Sequence, residues 1–525
     1  MHLHSRQAPV PKLLEAETPD LPLRRRIAAC ILVMPGVGPD GLPDADTLAA
    51  VRAGVGALHS VVDMRASAAA RYHAAIRAEA EGAGVPSPLI SGNLESGIGY
   101  SLGRTGTDLP YPRGIALADD PGLAYRAALL AAREARAVGY DWTFSPTVDV
   151  RTTDDDPILG VRAFGVGTES TGDLGAAQVR GFRDGGMIAC AKHFPGHGDS
   201  AVDSHLGLPV IDRDRASLED VHLPPFAAAI AAGVQTIMVG HVVLPALGVE
   251  QPASLSAVVN REWLRNRLGF EGVIISDSLR MAAISARWTP AEAAVLALAA
   301  GADVANSKCE AGRLSELVDA VAGAVAEGRI SEAELSRSAE RMAALRDDLA
   351  HDRSHPGQTP LPTPGSLDRA LTWHDPARPG TVDVAGGIDS AGELLVIGDS
   401  PLAARLAEAA VARGVTVGHD QREASAERVA ELASTDGDRM LVPVLLPGTS
   451  VSPGERRRIS AVIAEAASGP STATVIVNGM MAASGLASPG VAVIVAPAVD
   501  AFGICSEAAV EAVLDHLTGA GGARR

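Results

Sequence analysis

Eight short apolar runs recur through the first 350 residues, each followed by a longer Ala- and Arg-rich stretch with helical spacing. The runs are ACILVMP from Ala29, GVGALHSV from Gly54, SPLISGN from Ser87 and TFSPTVDV from Thr143. GMIACAKH from Gly186, QTIMVGH from Gln235, GVIISDS from Gly272 and ADVANS from Ala302 complete the set. Between them lie helical stretches such as PGLAYRAALLAAREARAVG and AEAAVLALAAG. A strand that is apolar on both faces belongs in a parallel sheet covered by helices. Eight such units in one domain point to α/β architecture as a (β/α)8 TIM-like barrel. A doubly wound open sheet is the competing reading of the same pattern.

A chain of 525 residues is too long for one core, so further domains are expected. The stretch HPGQTPLPTPGS within His351 to Gly380 is Pro-rich and reads as a linker. Beyond it, ELLVIGDS, MLVPVLLPG, ATVIVNG and VAVIVAPA again alternate with helical segments. The expected organisation is a catalytic barrel over 1–350, a linker over 351–385 and a smaller α/β sandwich domain over 386–525. The VIGDS turn could hold an anion at a helix N-terminus, but neither a GxxxxGK[ST] loop nor a full GxGxxG is present.

The formal net charge of -18 disfavours nucleic acids and anionic membranes, which require clustered Lys and Arg. The four cysteines, Cys30, Cys190, Cys309 and Cys505, are scattered, which fits neither a disulfide framework nor a zinc cluster. The N-terminal segment lacks an apolar signal region and no long apolar span occurs, so a cytoplasmic location is expected.

A barrel builds its active site where the strands end. The polar residues closing the apolar runs are Asn93, Asp149, Lys192 with His193, His241 and Asp277. Each, taken alone, could instead cap a helix or pair with a neighbour. The segment KHFPGHGDSAVDSH concentrates Lys192, His193, His197, Asp199, Asp203 and His205 in a loop after a strand. Its spacing does not match HExxH or a zinc-finger pair, so no metal is expected. In Asp203-Ser204-His205 a carboxylate precedes a histidine by two residues, which a turn can convert into an acid/base pair. Asp277 ends the apolar strand of LGFEGVIISDSLRM, where a carboxylate could attack an anomeric carbon or cap the helix beginning at SLRMAAI.

These segments together resemble glycoside hydrolase family 3, in its β-N-acetylhexosaminidase subfamily. The resemblance rests on KHFPGHG followed by DSH, on FSPTVDV before Arg162 of ILGVRAFG, on GHVVLPALGVEQPASLS and on LGFEGVIISDSLRM. It covers about residues 25 to 345. It implies Asp277 as nucleophile, His205 as acid/base with Asp203 as its partner, and Lys192, His193 and Arg162 as sugar-binding residues. It also implies Met238 and His241 at the pocket wall, no metal or organic cofactor, and a small amino-sugar glycoside as substrate. The chain departs from the family's DQEGGRV segment. Asn93 stands at its aspartate and Ile98 at its arginine, which opens the identity of the sugar. Asn93 can donate where an ionised Asp only accepts. The expected function is a retaining glycoside hydrolase of terminal β-linked N-acetylhexosamine. A phosphorylase, an enzyme of a specialised amino-sugar conjugate and a non-catalytic sugar-binding protein are the alternatives.

Overall fold

The computed structural model describes residues 21–61, 64–102, 105–152, 159–165, 167–198 and 207–353, together with separate stretches between 370 and 517. Among the described residues, nine strands lie in the first part. They are β1 (Ile31–Met34), β2 (Ala57–His59), β3 (Leu89–Gly92), β4 (Gly106–Asp108), β5 (Trp142–Thr143), β6 (Cys190–Phe194), β7 (Thr236–Val239), β8 (Val273–Ser276) and β9 (Ala305–Glu310). All but β4 form one ring. Parallel pairing runs β5-β3-β2-β1-β9 and β6-β7-β8. Parallel bridges Trp142 to Ile188 and Ile275 to Val304 join the two arcs into a closed barrel. Each of the eight apolar runs supplies one member of this ring.

The reason is visible in which way the residues point. Successive strand side chains alternate between faces, so a strand that is apolar throughout needs cover on both. Leu32, Ala57, Leu89, Trp142, Met238 and Ile275 fill the barrel interior. Ile31, Val33, Leu58, Ile90, Ile237 and Ile274 pack outward into the shell of helices. Each buried Leu, Ile or Val contributes about 1.5–3 kcal/mol relative to exposure. Trp142 is fully buried, and its indole N–H donates to Thr236 Oγ1 at 2.9 Å.

Local signals set where the helices begin. Asp44 caps Ala45–Arg52 and Asp120 caps Pro121–Ala137, each accepting a backbone N–H. Thr289 and Glu292 form a capping box ahead of Pro290–Ala299. Gly56 enters β2 so close to the preceding chain that a Cβ would stand 2.0 Å from Ala29 O.

Helix Glu332–Arg353 plugs the end of the barrel where the strands start. Its Met342, Leu345 and Leu349 join the interior cluster. Arg346 donates to Ser87 O and Gly56 O, both at 3.0 Å. Asp303, just before β9, is nearly fully buried and binds this helix through Ser338 Oγ at 2.7 Å and Arg341 at 2.9 Å. It also accepts from Ile274 N at 2.8 Å and pairs with Arg265. Asp141, just before β5, is held by Arg77 at 2.9 Å, Arg136 at 2.6 Å and Ile90 N at 3.0 Å. One mouth is therefore closed by structure, and the opposite mouth is left for chemistry.

The remaining strands are β10 (Ala370–Thr372), β11 (Asp383–Ala385), β12 (Glu393–Ile397), β13 (Thr416–Asp420), β14 (Met440–Leu445), β15 (Ala473–Asn478) and β16 (Val491–Ala496). The last six form a second sheet, ordered β11-β16-β15-β14-β12-β13, parallel except where β11 runs antiparallel to β16. Its core includes Val396, Leu406, Val442, Ile476 and Ile494. Two short strands fall within 351–385. β10 pairs in parallel with β4, and β11 joins the second sheet. Three-residue strands between Pro-rich and polar segments leave no periodicity long enough to read. Among the described residues no helix is long and apolar enough to cross a membrane.

Replacing Asp303 with Ala strands Arg265 and Arg341 beside an unpaired Ile274 N–H. The loss expected is on the order of 3 kcal/mol, read as a lower urea midpoint. An unchanged midpoint contradicts this account of barrel closure.

Two buried imidazoles predict a pH dependence. Burial, reinforced by the charge of Lys308, lowers His59 from 6.5 to about 3. Burial also lowers His73, whose Nδ1–H donates to Val138 O at 2.8 Å, to about 4. Below pH 6.5 the unfolded chain takes up these protons and the folded one does not. Stability therefore falls as the pH drops from 6.5 towards 4, by about 1.4 kcal/mol per unit for each imidazole. Urea midpoints at pH 7 and pH 5 test this, and equal midpoints contradict it.

Candidate active site

The open mouth of the barrel holds a cavity of about 490 Å³. Asn93, Arg162, Lys192, His193, Met238 and Asp277 line it, joined by Met34, Phe144, His197, Arg280 and Lys308 among others. Residues from widely separated strands thus converge on one space, while Asp149 and His241 of the strand-end set lie outside its lining.

Glu95 organises one wall. Its carboxylate is fully buried and accepts both prongs of the Arg162 guanidinium, Nε at 2.7 Å and Nη2 at 2.8 Å. Lys192 Nζ donates to the same carboxylate at 2.6 Å and to Asn93 Oδ1 at 3.1 Å. Burial opposes the charge on Glu95, but the Arg162 and Lys192 cations outweigh it and hold the carboxyl far below its usual range. Glu95 was not singled out in the sequence, although it stands in the NLESG segment that follows β3. Its neighbour Asn93 drew attention because it sits nearer the apolar run. A buried fork of this kind fixes Arg162 and Lys192 at the cavity wall.

Asp149 organises a second wall from behind. It is fully buried and accepts from His193 Nδ1 at 2.7 Å, His193 N at 3.0 Å and His197 N at 2.7 Å. Burial opposes its ionisation, and the two histidines reverse that, keeping it ionised. With Nδ1–H committed to Asp149, His193 turns Nε2 away from this contact. The glycines of KHFPGHG serve this packing. Gly196 adopts φ +132, and a Cβ there would meet His222 at 2.8 Å. A Cβ on Gly198 would stand 2.0 Å from Val150 O.

Asp277 follows β8 directly, and its backbone N–H donates to Val239 O of β7 at 2.9 Å. One carboxylate oxygen accepts Ser278 N at 2.6 Å. The other has no hydrogen bond from any described residue. Burial opposes the charge here too, but His193, His241, Ser278 N–H and Lys308 together hold the carboxyl well below the ordinary range. The helix-cap reading does not apply, because the next helix, Ala282–Ser285, starts after Met281.

His241 differs from its expected place. It is fully buried and lies outside the cavity lining. Its Nδ1 meets Ser254 Oγ at 2.7 Å and its Nε2 meets Ser278 O at 2.9 Å. A carbonyl only accepts, so Nε2 carries the proton and Nδ1 accepts from the serine. Burial holds the ring's pKa down. His241 braces the turn behind Asp277, and a strand-end polar residue can be spent this way as readily as on a ligand. Asp203 and His205 lie outside the described residues. Among the described residues no cluster of His, Cys, Asp or Glu is arranged to hold a metal ion.

A family model described as Glycosyl hydrolase family 3 N terminal domain matches residues 46–345. Beta-hexosaminidase A of Pseudoalteromonas piscicida is 34% identical over 244 residues, 43% of this chain and 41% of that protein. A beta-hexosaminidase of Chromobacterium violaceum is 40% identical over 182 residues, 35% of this chain and 50% of that protein. The chain thus spans about half the length of the curated relatives it matches. Among solved structures, a glycoside hydrolase family 3 beta-N-acetylglucosaminidase from Paenibacillus sp. superposes with a TM-score of 0.78 at 26% identity. That match covers 95% of this chain and 96% of the other, so the barrel and the second α/β domain are both shared. A match across most of the barrel, on a chain whose barrel gathers these carboxylates and cations at one mouth, makes the protein a member of glycosyl hydrolase family 3.

Proposed function

We propose that the protein is a retaining glycosidase that removes terminal β-linked N-acetylhexosamine, with Asp277 as its nucleophile. One observation carries this reading: an ionised carboxylate opens on the cavity with one oxygen free of any described partner. A carboxylate kept only for structure would have both oxygens engaged, as Glu95 and Asp149 do. The names carried by the beta-hexosaminidase relatives and the Paenibacillus beta-N-acetylglucosaminidase support the choice of sugar.

In this reading an Asp277 oxygen attacks the anomeric carbon, and the bond from that carbon to the leaving oxygen breaks. His205, oriented by Asp203, gives its proton to the leaving oxygen. Water then attacks the glycosyl-Asp277 ester, passes a proton to His205 and frees the carboxylate. Lys192, Arg162 and Asn93 on one wall, and His193 and Met238 on the other, hold the sugar so that the carbon meets Asp277. Keeping Asp277 ionised suits a nucleophile, and the surrounding cations do so.

The test is hydrolysis of p-nitrophenyl N-acetyl-β-glucosaminide. Asp277→Ala abolishes turnover, and added azide restores aglycone release with an α-configured glycosyl azide. His205→Ala lowers kcat/KM by about 10²–10⁴-fold for glycosides with poor leaving groups. The loss is much smaller for p-nitrophenol, which departs without protonation. Undiminished turnover by Asp277→Ala contradicts the proposal.

A further inference from the structure

The strand β9 is irregular where it reaches the cavity. Against β1, Leu32 pairs with Asn306 and Met34 pairs with Glu310. β1 advances two residues while β9 advances four, so Ser307, Lys308 and Cys309 are accommodated in a bulge. Bulges beside a site re-aim a side chain. Lys308 takes φ +47, the left-handed region that disfavours any residue with a Cβ. The strained residue is a lysine, and it lines the cavity together with Asp277.

The Lys308 ammonium makes no hydrogen bond or ion pair with any described residue. Its neighbours are mostly of its own sign. Burial lowers it from 10.5 to about 8, with Lys192, Arg162 and Arg280 adding to the shift and Asp277 opposing it. Arg280 stands beside it, donating Nη1 to Lys308 O at 3.2 Å. Among the described residues Arg280 pairs with Glu310 at 3.9 Å, where both side chains are exposed and the pair is weak. Asp277 is the buried carboxylate that acts on Lys308, and Glu95, the other acid of this mouth, is already saturated by Arg162 and Lys192.

The balance of donors over acceptors is therefore uneven. Among the described residues, Arg162, Lys192, Arg280 and Lys308 line the cavity as cations, and Asp277 is the one carboxylate among the lining residues. Asn93 adds to the excess. Its Oδ1 is taken by Lys192, which leaves its amide N–H groups without a described partner. Hydroxyl groups of a neutral sugar do not neutralise a half-buried ammonium. An oxyanion does, through short charge-assisted hydrogen bonds. A chain of net charge -18 that concentrates cations here holds a local site for negative charge.

Building on the glycosidase reading, we propose that Lys308, with Arg280 at the rim, recognises an oxyanion, and that the substrate is a glycoside carrying a carboxylate, sulfate or phosphate ester. The same chemistry would hold free inorganic phosphate. In that case a phosphate oxygen attacks the anomeric carbon of the glycosyl-Asp277 ester, the ester bond breaks, and a sugar 1-phosphate leaves.

The experiment compares kcat/KM for three glycosides in the full chain and in Lys308→Met and Lys308→Arg. The probes are 4-methylumbelliferyl N-acetyl-β-glucosaminide, its 6-sulfate, and an N-acetyl-β-glucosaminide whose leaving sugar is a uronic acid. A parallel series holds the neutral probe and varies inorganic phosphate. At least one anionic probe is expected to exceed the neutral one by roughly tenfold or more, mainly through KM. Lys308→Met collapses that ratio and Lys308→Arg keeps most of it. A phosphate-dependent rate with sugar 1-phosphate formed, lost in Lys308→Met, assigns the oxyanion to free phosphate and upholds the site. Turnover of the neutral probe with the same ratios in the full chain and Lys308→Met, and no phosphate response, overturns the proposal. If no probe turns over, the glycosidase reading fails separately. Calorimetric binding of the same sugars and of phosphate then decides, with equal affinity in Lys308→Met overturning the site.

Discussion

The barrel strands are covered on both faces, so a charged side chain finds room chiefly towards the two mouths of the barrel. That constraint sorts the charged residues of the molecule. At the starting ends, Asp141 and Asp303 are each surrounded by arginines and backbone N–H groups and knit strands to helices. Helix Glu332–Arg353 then covers that mouth. The finishing ends are left open, and the cavity forms there.

The carboxylates around the open mouth divide by what they hold. Glu95 and Asp149 have both oxygens occupied and act through the cations and imidazoles they position. Removing such a buried partner leaves the opposite charge uncompensated, at about 3–5 kcal/mol. Among the described residues Asp277 accepts only the N–H of its own neighbour, while nearby positive charge keeps it ionised. The wall that serves as structure and the group that faces ligand are thus built from the same residue types, separated by how many partners each has.

Much of this was legible in the sequence. Eight apolar runs are long enough to show that both faces are buried, which fits a barrel and also an open doubly wound sheet, and the closed ring of strands decides between them. Asp277 stood out because it closes the apolar run VIIS, where the sequence alone left both a cavity-facing carboxylate and a helix cap open. Other features were not legible for physical reasons. His241 closes an apolar run in the same way, yet both ring nitrogens are spent inside the protein, and only three-dimensional partners reveal that. Glu95 pairs with residues 67 and 97 positions away. Lys308 reaches the cavity through a bulge, which shifts the alternation that sequence patterns rely on. Asp203 and His205 carry the expected acid/base step and lie outside the described residues.

The central claim is that Asp277 forms a covalent bond to the sugar. The most direct measurement uses a 5-fluoro N-acetylglucosaminyl fluoride, whose good leaving group and ring fluorine let the glycosyl-enzyme accumulate. Intact-mass spectrometry should show one added sugar per chain, and peptide mapping should place it on Asp277 within GVIISDSLR. A sugar attached to another residue, or hydrolysis of the probe with inversion and no adduct, would contradict the account.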